Sequence, residues 1–144
     1  MSKIIFDKEI PESIRAELEK YVLPCEWLIP AWCQKVLIGW SEDSDEDGAA
    51  ISAYVVYEYR RARFTFYPCF HTQSDQQEAV VHEFFHAFVG VLADYARDEI
   101  KRLIPEDEAP KYRQSVLDEL ARRHEAVVQD LAYCVMSNGK INGS

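Results

Sequence analysis

No stretch of this 144-residue chain stays apolar for the roughly 18 residues that a membrane-spanning helix requires, so no membrane segment is expected. The start, Met1-Ser2-Lys3-Ile4-Ile5-Phe6-Asp7, lacks the apolar run and small-residue cleavage site of a secretory signal, which makes a cytoplasmic location the expectation. Basic residues are the minority: 16 Lys and Arg against 25 Asp and Glu give a formal net charge of -9. That field disfavours nucleic-acid phosphates and anionic lipid as partners. The short groups Arg60-Arg61-Arg63 and Arg122-Arg123 read as solvated turn and helix-face positions. The four cysteines, at 25, 33, 69 and 134, contain no C-x-x-C pair and mostly have apolar neighbours. Buried free thiols are expected rather than disulfides or a second metal site.

What is present fits one globular domain over residues 1–144. Hydrophobic residues make up 48 %, enough for a single core, and there is no internal repeat. Pro11 opens a helical segment over about 11–22, with Ile14, Leu18 and Tyr21 at helical spacing. Three strands follow, over 35–40, 50–57 and 62–70, the first two separated by a solvated acidic loop at 41–48. In the third, Arg63, Thr65 and Tyr67 alternate with Phe64, Phe66 and Pro68, and Pro68 implies an edge position. Ser74 or Asp75 can cap a long helix over about 76–103. After a linker holding Pro105 and Pro110, a second long helix covers about 111–136, and the tail at 137–144 is expected to fray. The fold class expected is therefore α+β: an N-terminal helix, a three-stranded sheet and two long helices.

The chemistry concentrates in His82-Glu83-Phe84-Phe85-His86. Residues i and i+4 of a helix lie one above the other, so both imidazoles can face one ion. Zinc takes such ligands, with three protein donors and an open position where it is catalytic. Glu83, offset by one residue, stands beside the pair, where a carboxylate can take a proton from water. Ala79, Val80, Val81, Phe84, Phe85, Phe88, Val89 and Leu92 surround the motif, which gives the polar trio a core-facing setting. The bland alternative is a pair of satisfied core histidines with a surface glutamate. The third ligand is sought on the last helix among Glu119, His124 and Glu125. Glu119 points away from the apolar stripe; Glu125 falls at its edge beside small residues and is the expected ligand, with His124 next.

His82-Glu83-x-x-His86 with Glu125 on a second helix resembles the gluzincin class of zinc peptidases, and the short chain is similar to the minimal members called minigluzincins. Tyr59-Arg60-Arg61-Ala62, Phe66-Tyr67-Pro68 and Glu125-x-x-Val128-x-x-Leu131-Ala132 look like small phage or prophage zinc-peptidase-like proteins. The resemblance covers about residues 27–136. It implies a small zincin-like domain that hydrolyses peptide bonds with bound Zn2+, with the third strand at the cleft rim receiving an extended peptide or protein substrate. Many gluzincins carry an Asp four residues after the ligand Glu; here that position is Gln129, with Asp130 next, and either can orient a ligand. His124, Tyr133 and Tyr112 are the candidates for stabilising an oxyanion. A second reading, from a different class, is a zinc-stabilised binding or regulatory protein without turnover.

Three other features have bland explanations. Asp43-x-Asp45-x-Asp47-Gly48 matches half a calcium loop, but the twelfth position is Tyr54 rather than a bidentate Glu, so a solvated loop is favoured. His71 can approach the cleft, though loop histidines are common. The Trp27 to Trp32 cluster reads as core rather than as a platform for ligand.

Overall fold

The computed structural model describes residues 1–139. The expected frayed tail falls largely outside them. Helix α1 (Glu12–Val22) and two long helices, α2 (Gln76–Leu103) and α3 (Pro110–Ser137), accompany strands β1 (Ile4–Phe6), β2 (Lys35–Trp40), β3 (Ile51–Val56) and β4 (Arg61–Phe66). The α+β class is as expected. The sheet, however, has four strands, in the order β1-β2-β4-β3. β1 is parallel to β2, β2 parallel to β4, and β4 antiparallel to β3. The extra strand is only three residues long, too short for an alternating pattern to emerge from sequence.

The second correction concerns the edge. β4 is an interior strand, hydrogen-bonded on both sides, and it ends at Phe66. Pro68 lies beyond it, at the start of a 3-10 turn, Pro68–Thr72, where its missing N–H disturbs no ladder. The free edge next to β4 belongs to β3. The chain reaches β3 first, reverses through a turn in which Arg60 takes the left-handed conformation (φ 53°), and inserts β4 between β3 and β2.

Alternation sorts β4: Ala62, Phe64 and Phe66 are buried, whereas Arg61 and Arg63 face out. Helix α2 lies on the buried side. Val80, Val81, Phe84 and Ala87 belong to the same core as the sheet, and Phe84 stacks on Phe64 with ring centroids 4.6 Å apart. Of the two candidate caps, Asp75 is the one that works: its carboxylate accepts from the Glu78 amide at 3.0 Å.

Packing on the sheet uses only the first half of α2. No residue between 94 and 127 is buried, so the end of α2 and the start of α3 form a helical hairpin standing away from the sheet. The buried positions of α2 that follow the motif, Ala87, Gly90 and Ala93, are all small, which lets α3 approach closely. A Cβ on Gly90 would sit 3.8 Å from His124 Cε1. α3 begins at Pro110, one residue before the expected start, because a proline costs no hydrogen bond in the first turn.

The cysteines are all free, but only Cys25 and Cys33 are buried; Cys69 is half-buried and Cys134 exposed. Burial pushes the Cys25 thiol up to about 12, so it is an inert core group. No helix among the described residues is long and apolar enough to cross a membrane.

Candidate metal centre

The hairpin brings the two halves of the expected site together. α2 turns Val81 and Phe84 into the core and leaves His82, Glu83 and His86 on the opposite side, toward α3. The imidazoles stand one turn apart, their centroids separated by 4.6 Å. From α3, Glu125 enters between them: Oε1 lies 3.3 Å from His82 Nε2 and Oε2 lies 2.7 Å from His86 Nε2. One donor atom from each of the three residues falls within 4.8 Å of the others. His124, the runner-up, is not among these donors. Its ring packs edge-on against His86, centroids 5.1 Å apart, and its Nε2 is buried without a hydrogen-bond partner. Glu119 is turned outward and held by Arg122 and Arg123.

The donor set suits a transition metal. Two imidazole nitrogens and one carboxylate form the kind of mixed N/O set that zinc takes, whereas calcium and magnesium want oxygens. Ligands about 2 Å from a tetrahedral ion stand roughly 3.3 Å apart, close to the His82–Glu125 separation of 3.3 Å. The only ion pairs Glu125 makes among the described residues are with the two histidines. Burial lowers the pKa of His86, an effect partly offset by the Glu125 charge, and so favours the neutral imidazole that a metal needs.

Glu83 is the electrostatic anomaly. Burial, reinforced by the charge of Glu125, raises its carboxyl to about 7. It makes no hydrogen bond or ion pair with any described residue. Together with His82 it closes one end of a groove of about 480 Å³, whose other walls include Ala50 and Ile51 at the start of β3 and Ala79 and Glu78 on α2. A carboxylate held near neutrality, beside a potential metal and open to a groove, can accept and release protons at physiological pH.

Gln129, rather than Asp130, bonds the candidate ligand carboxylate. Gln129 Nε2 donates to Glu125 Oε1 at 3.2 Å, one turn along α3, while Asp130 is exposed. Gln129→Leu is therefore expected to weaken zinc binding about tenfold, measured by competition with a chromophoric chelator. Asp130→Asn should leave the affinity unchanged.

No protein family, curated protein or solved structure matches the chain. Its own geometry must carry the reading.

Several residues considered on sequence grounds fall outside this centre. His71 bonds Glu17 of α1, with Nδ1 2.9 Å from Oε2, and packs on Trp40, so it does not reach the cleft. Tyr112 lies 125 − 112 = 13 residues before Glu125 on α3, about 20 Å along the axis, and is exposed. Tyr133 is exposed too, and its side chain makes no hydrogen bond with the centre. In the acidic loop, Asp45 is occupied by the backbone: Oδ2 accepts from the Asp47 and Ala49 amides, and Gly48 takes φ 73°. The part of the groove formed by Ala50 and Ile51 left no trace in the sequence, because it meets the motif only when β3 is placed beside α2.

Proposed function

We propose that this chain is a zinc-dependent peptidase of gluzincin type, in which His82, His86 and Glu125 hold the metal and Glu83 is the general base. The observation that supports it best is the convergence of three donor atoms within 4.8 Å beside an unpartnered carboxylate raised to about 7. When bound, zinc supplies Lewis acidity toward a carbonyl oxygen and acidifies water.

The chain's own groups account for the remaining work. Glu83 takes the proton of the attacking water and returns it to the departing amine nitrogen, one carboxylate serving first as base and then as acid. Gln129 fixes the rotamer of Glu125. Among the described residues β3 pairs only with β4, so its other edge has free backbone donors and acceptors alongside the groove. An extended peptide can add there as a further strand, which brings its scissile carbonyl past His82 and Glu83. This assigns the substrate-receiving role to β3, not to the strand after it.

The test is metal analysis joined to a cleavage assay. Purified protein should carry one zinc per chain and cut members of a random peptide library, and His86→Ala should lose both properties. A protein that takes up no divalent transition metal would overturn the whole assignment. One that binds zinc stoichiometrically and gains thermal stability, yet cuts no peptide, would instead belong to the binding or regulatory class.

A further inference from the structure

The edge strand and the motif helix run side by side for the length of β3. Ala50 and Ile51 face Ala79, His82 and Glu83 at one end. At the other end, Val55 and Tyr57 face Phe88, Val91, Leu92 and Tyr95 across a second cavity of about 590 Å³. The two cavities therefore follow one another along the same strand and the same helix. On α2, Val91 and Tyr95 come 91 − 86 = 5 and 95 − 86 = 9 residues after His86, roughly 7 to 14 Å along the helix axis. An extended peptide advances about 3.3 Å per residue. The second cavity therefore meets a side chain two to four positions from the bond at the metal centre.

Its walls and its mouth have different chemistry. Trp32 forms the floor, edge-on to Tyr57 with centroids 5.2 Å apart and to Phe88 at 5.9 Å. Leu92 and Tyr95 remain 72 % and 65 % exposed beside it, so large apolar surface is left for a ligand to cover. Three carboxylates, Glu58, Asp94 and Asp98, stand at the rim. Asp94 is committed to Arg97 at 2.5 Å. Glu58 and Asp98 make no ion pair or hydrogen bond with any described residue. A purely apolar side chain would cover the walls but strip water from these two charges without compensation. An acidic one would be repelled. A long aliphatic stem ending in a cation satisfies both, with its stem along Trp32 and Leu92 and its charge between the carboxylates and the aromatic faces.

We propose that this cavity is a specificity subsite for a lysine or arginine side chain of the peptide substrate, two to four residues from the cleaved bond. The assignment rests on the peptidase reading given above, and its test separates the two. The probes are alanine–glycine peptides carrying one lysine, arginine, norleucine or glutamate at each position in turn. With the zinc-loaded protein, lysine or arginine at one position should raise kcat/KM about tenfold over norleucine. In Glu58→Gln/Asp98→Asn, which changes only rim charges, that ratio should collapse toward one; in Glu58→Lys/Asp98→Lys, the glutamate peptide should become the best substrate.

Binding of the same peptides to zinc-loaded Glu83→Gln protein, followed by titration calorimetry, gives a readout independent of turnover. There too the basic peptide should bind about tenfold tighter than its norleucine counterpart. Cleavage without preference for a basic residue overturns the subsite and leaves the peptidase reading intact. No cleavage of any peptide, combined with selective binding of the basic ones that the rim substitutions abolish, overturns the peptidase reading and leaves the subsite. Equal binding of basic and norleucine peptides overturns the subsite in either case.

Discussion

Glu83→Gln should lower peptide hydrolysis by about a thousandfold while leaving one zinc per chain. The magnitude follows from the role: a positioned general base contributes roughly 10²- to 10⁴-fold, and Gln has the same shape but cannot accept the proton. The retained metal follows from the geometry. The converging donors belong to His82, His86 and Glu125, and Glu83 is not among them. His86→Ala should behave differently, losing metal and activity together, since it removes a ligand whose nitrogen lies 2.7 Å from the Glu125 carboxylate. The comparison is made with kcat/KM on one cleaved peptide and metal content on the same preparations. Undiminished hydrolysis by Glu83→Gln would refute Glu83 as the base, even if the zinc site were real.

Helix periodicity suggests these different roles from sequence alone, since positions 82 and 86 lie one above the other and 83 is offset by one residue. Periodicity likewise placed both long helices to within a residue, and α2 runs from Gln76 to Leu103 as expected. It failed where placement depends on contacts remote in sequence. In the sequence Pro68 reads as part of a strand and hence as a sign of an edge. The strand in fact stops two residues earlier, and the sheet order puts β3 outside it. β1 is too short to carry a pattern.

In the sequence, its position at the border of an apolar stripe favours Glu125 over His124. Packing gives that border its meaning: Gly90 admits the His124 ring beside His86, and Glu125 is left facing both metal-motif histidines. Sequence leaves Gln129 and Asp130 both open, because it does not show which of them bonds the Glu125 carboxylate. The hydrogen bond from Gln129 to Glu125, one turn apart on α3, selects Gln129. Trp32 shows the same limit. Its aromatic neighbours in sequence point to core, and it does pack on Phe88, yet it also lines the second cavity.

The metal-free protein should show an unusual dependence of stability on pH, and Glu83→Gln should remove it. A carboxyl with a folded pKa of about 7 and an ordinary value of 4.5 binds more protons folded than unfolded between those limits. Its contribution to stability is full below about pH 4.5 and is lost as pH rises through about 7, the reverse of a salt-bridged carboxylate. A difference of about 2.5 pKa units corresponds to about 3 kcal/mol. His86 works against this slope. Burial depresses its pKa, so its neutral folded form adds stability at high pH and loses it as pH falls below the unfolded imidazole value. The two effects overlap in the wild-type curve, which is why the variant is needed. Gln reproduces the neutral carboxyl in shape and leaves His86 in place.

Denaturant unfolding in the presence of chelator, at pH 4.5 and at pH 8, isolates the Glu83 part as the difference between the two proteins. Little difference is expected at the lower pH. At pH 8 the variant should be the more stable by about 3 kcal/mol. Parallel curves across this range would mean that the carboxylate is solvated in the metal-free protein, and the case for a base poised near neutrality would fail with it. Saturating zinc should erase the difference, because a divalent cation beside Glu83 stabilises its ionised form and offsets the burial that raised it.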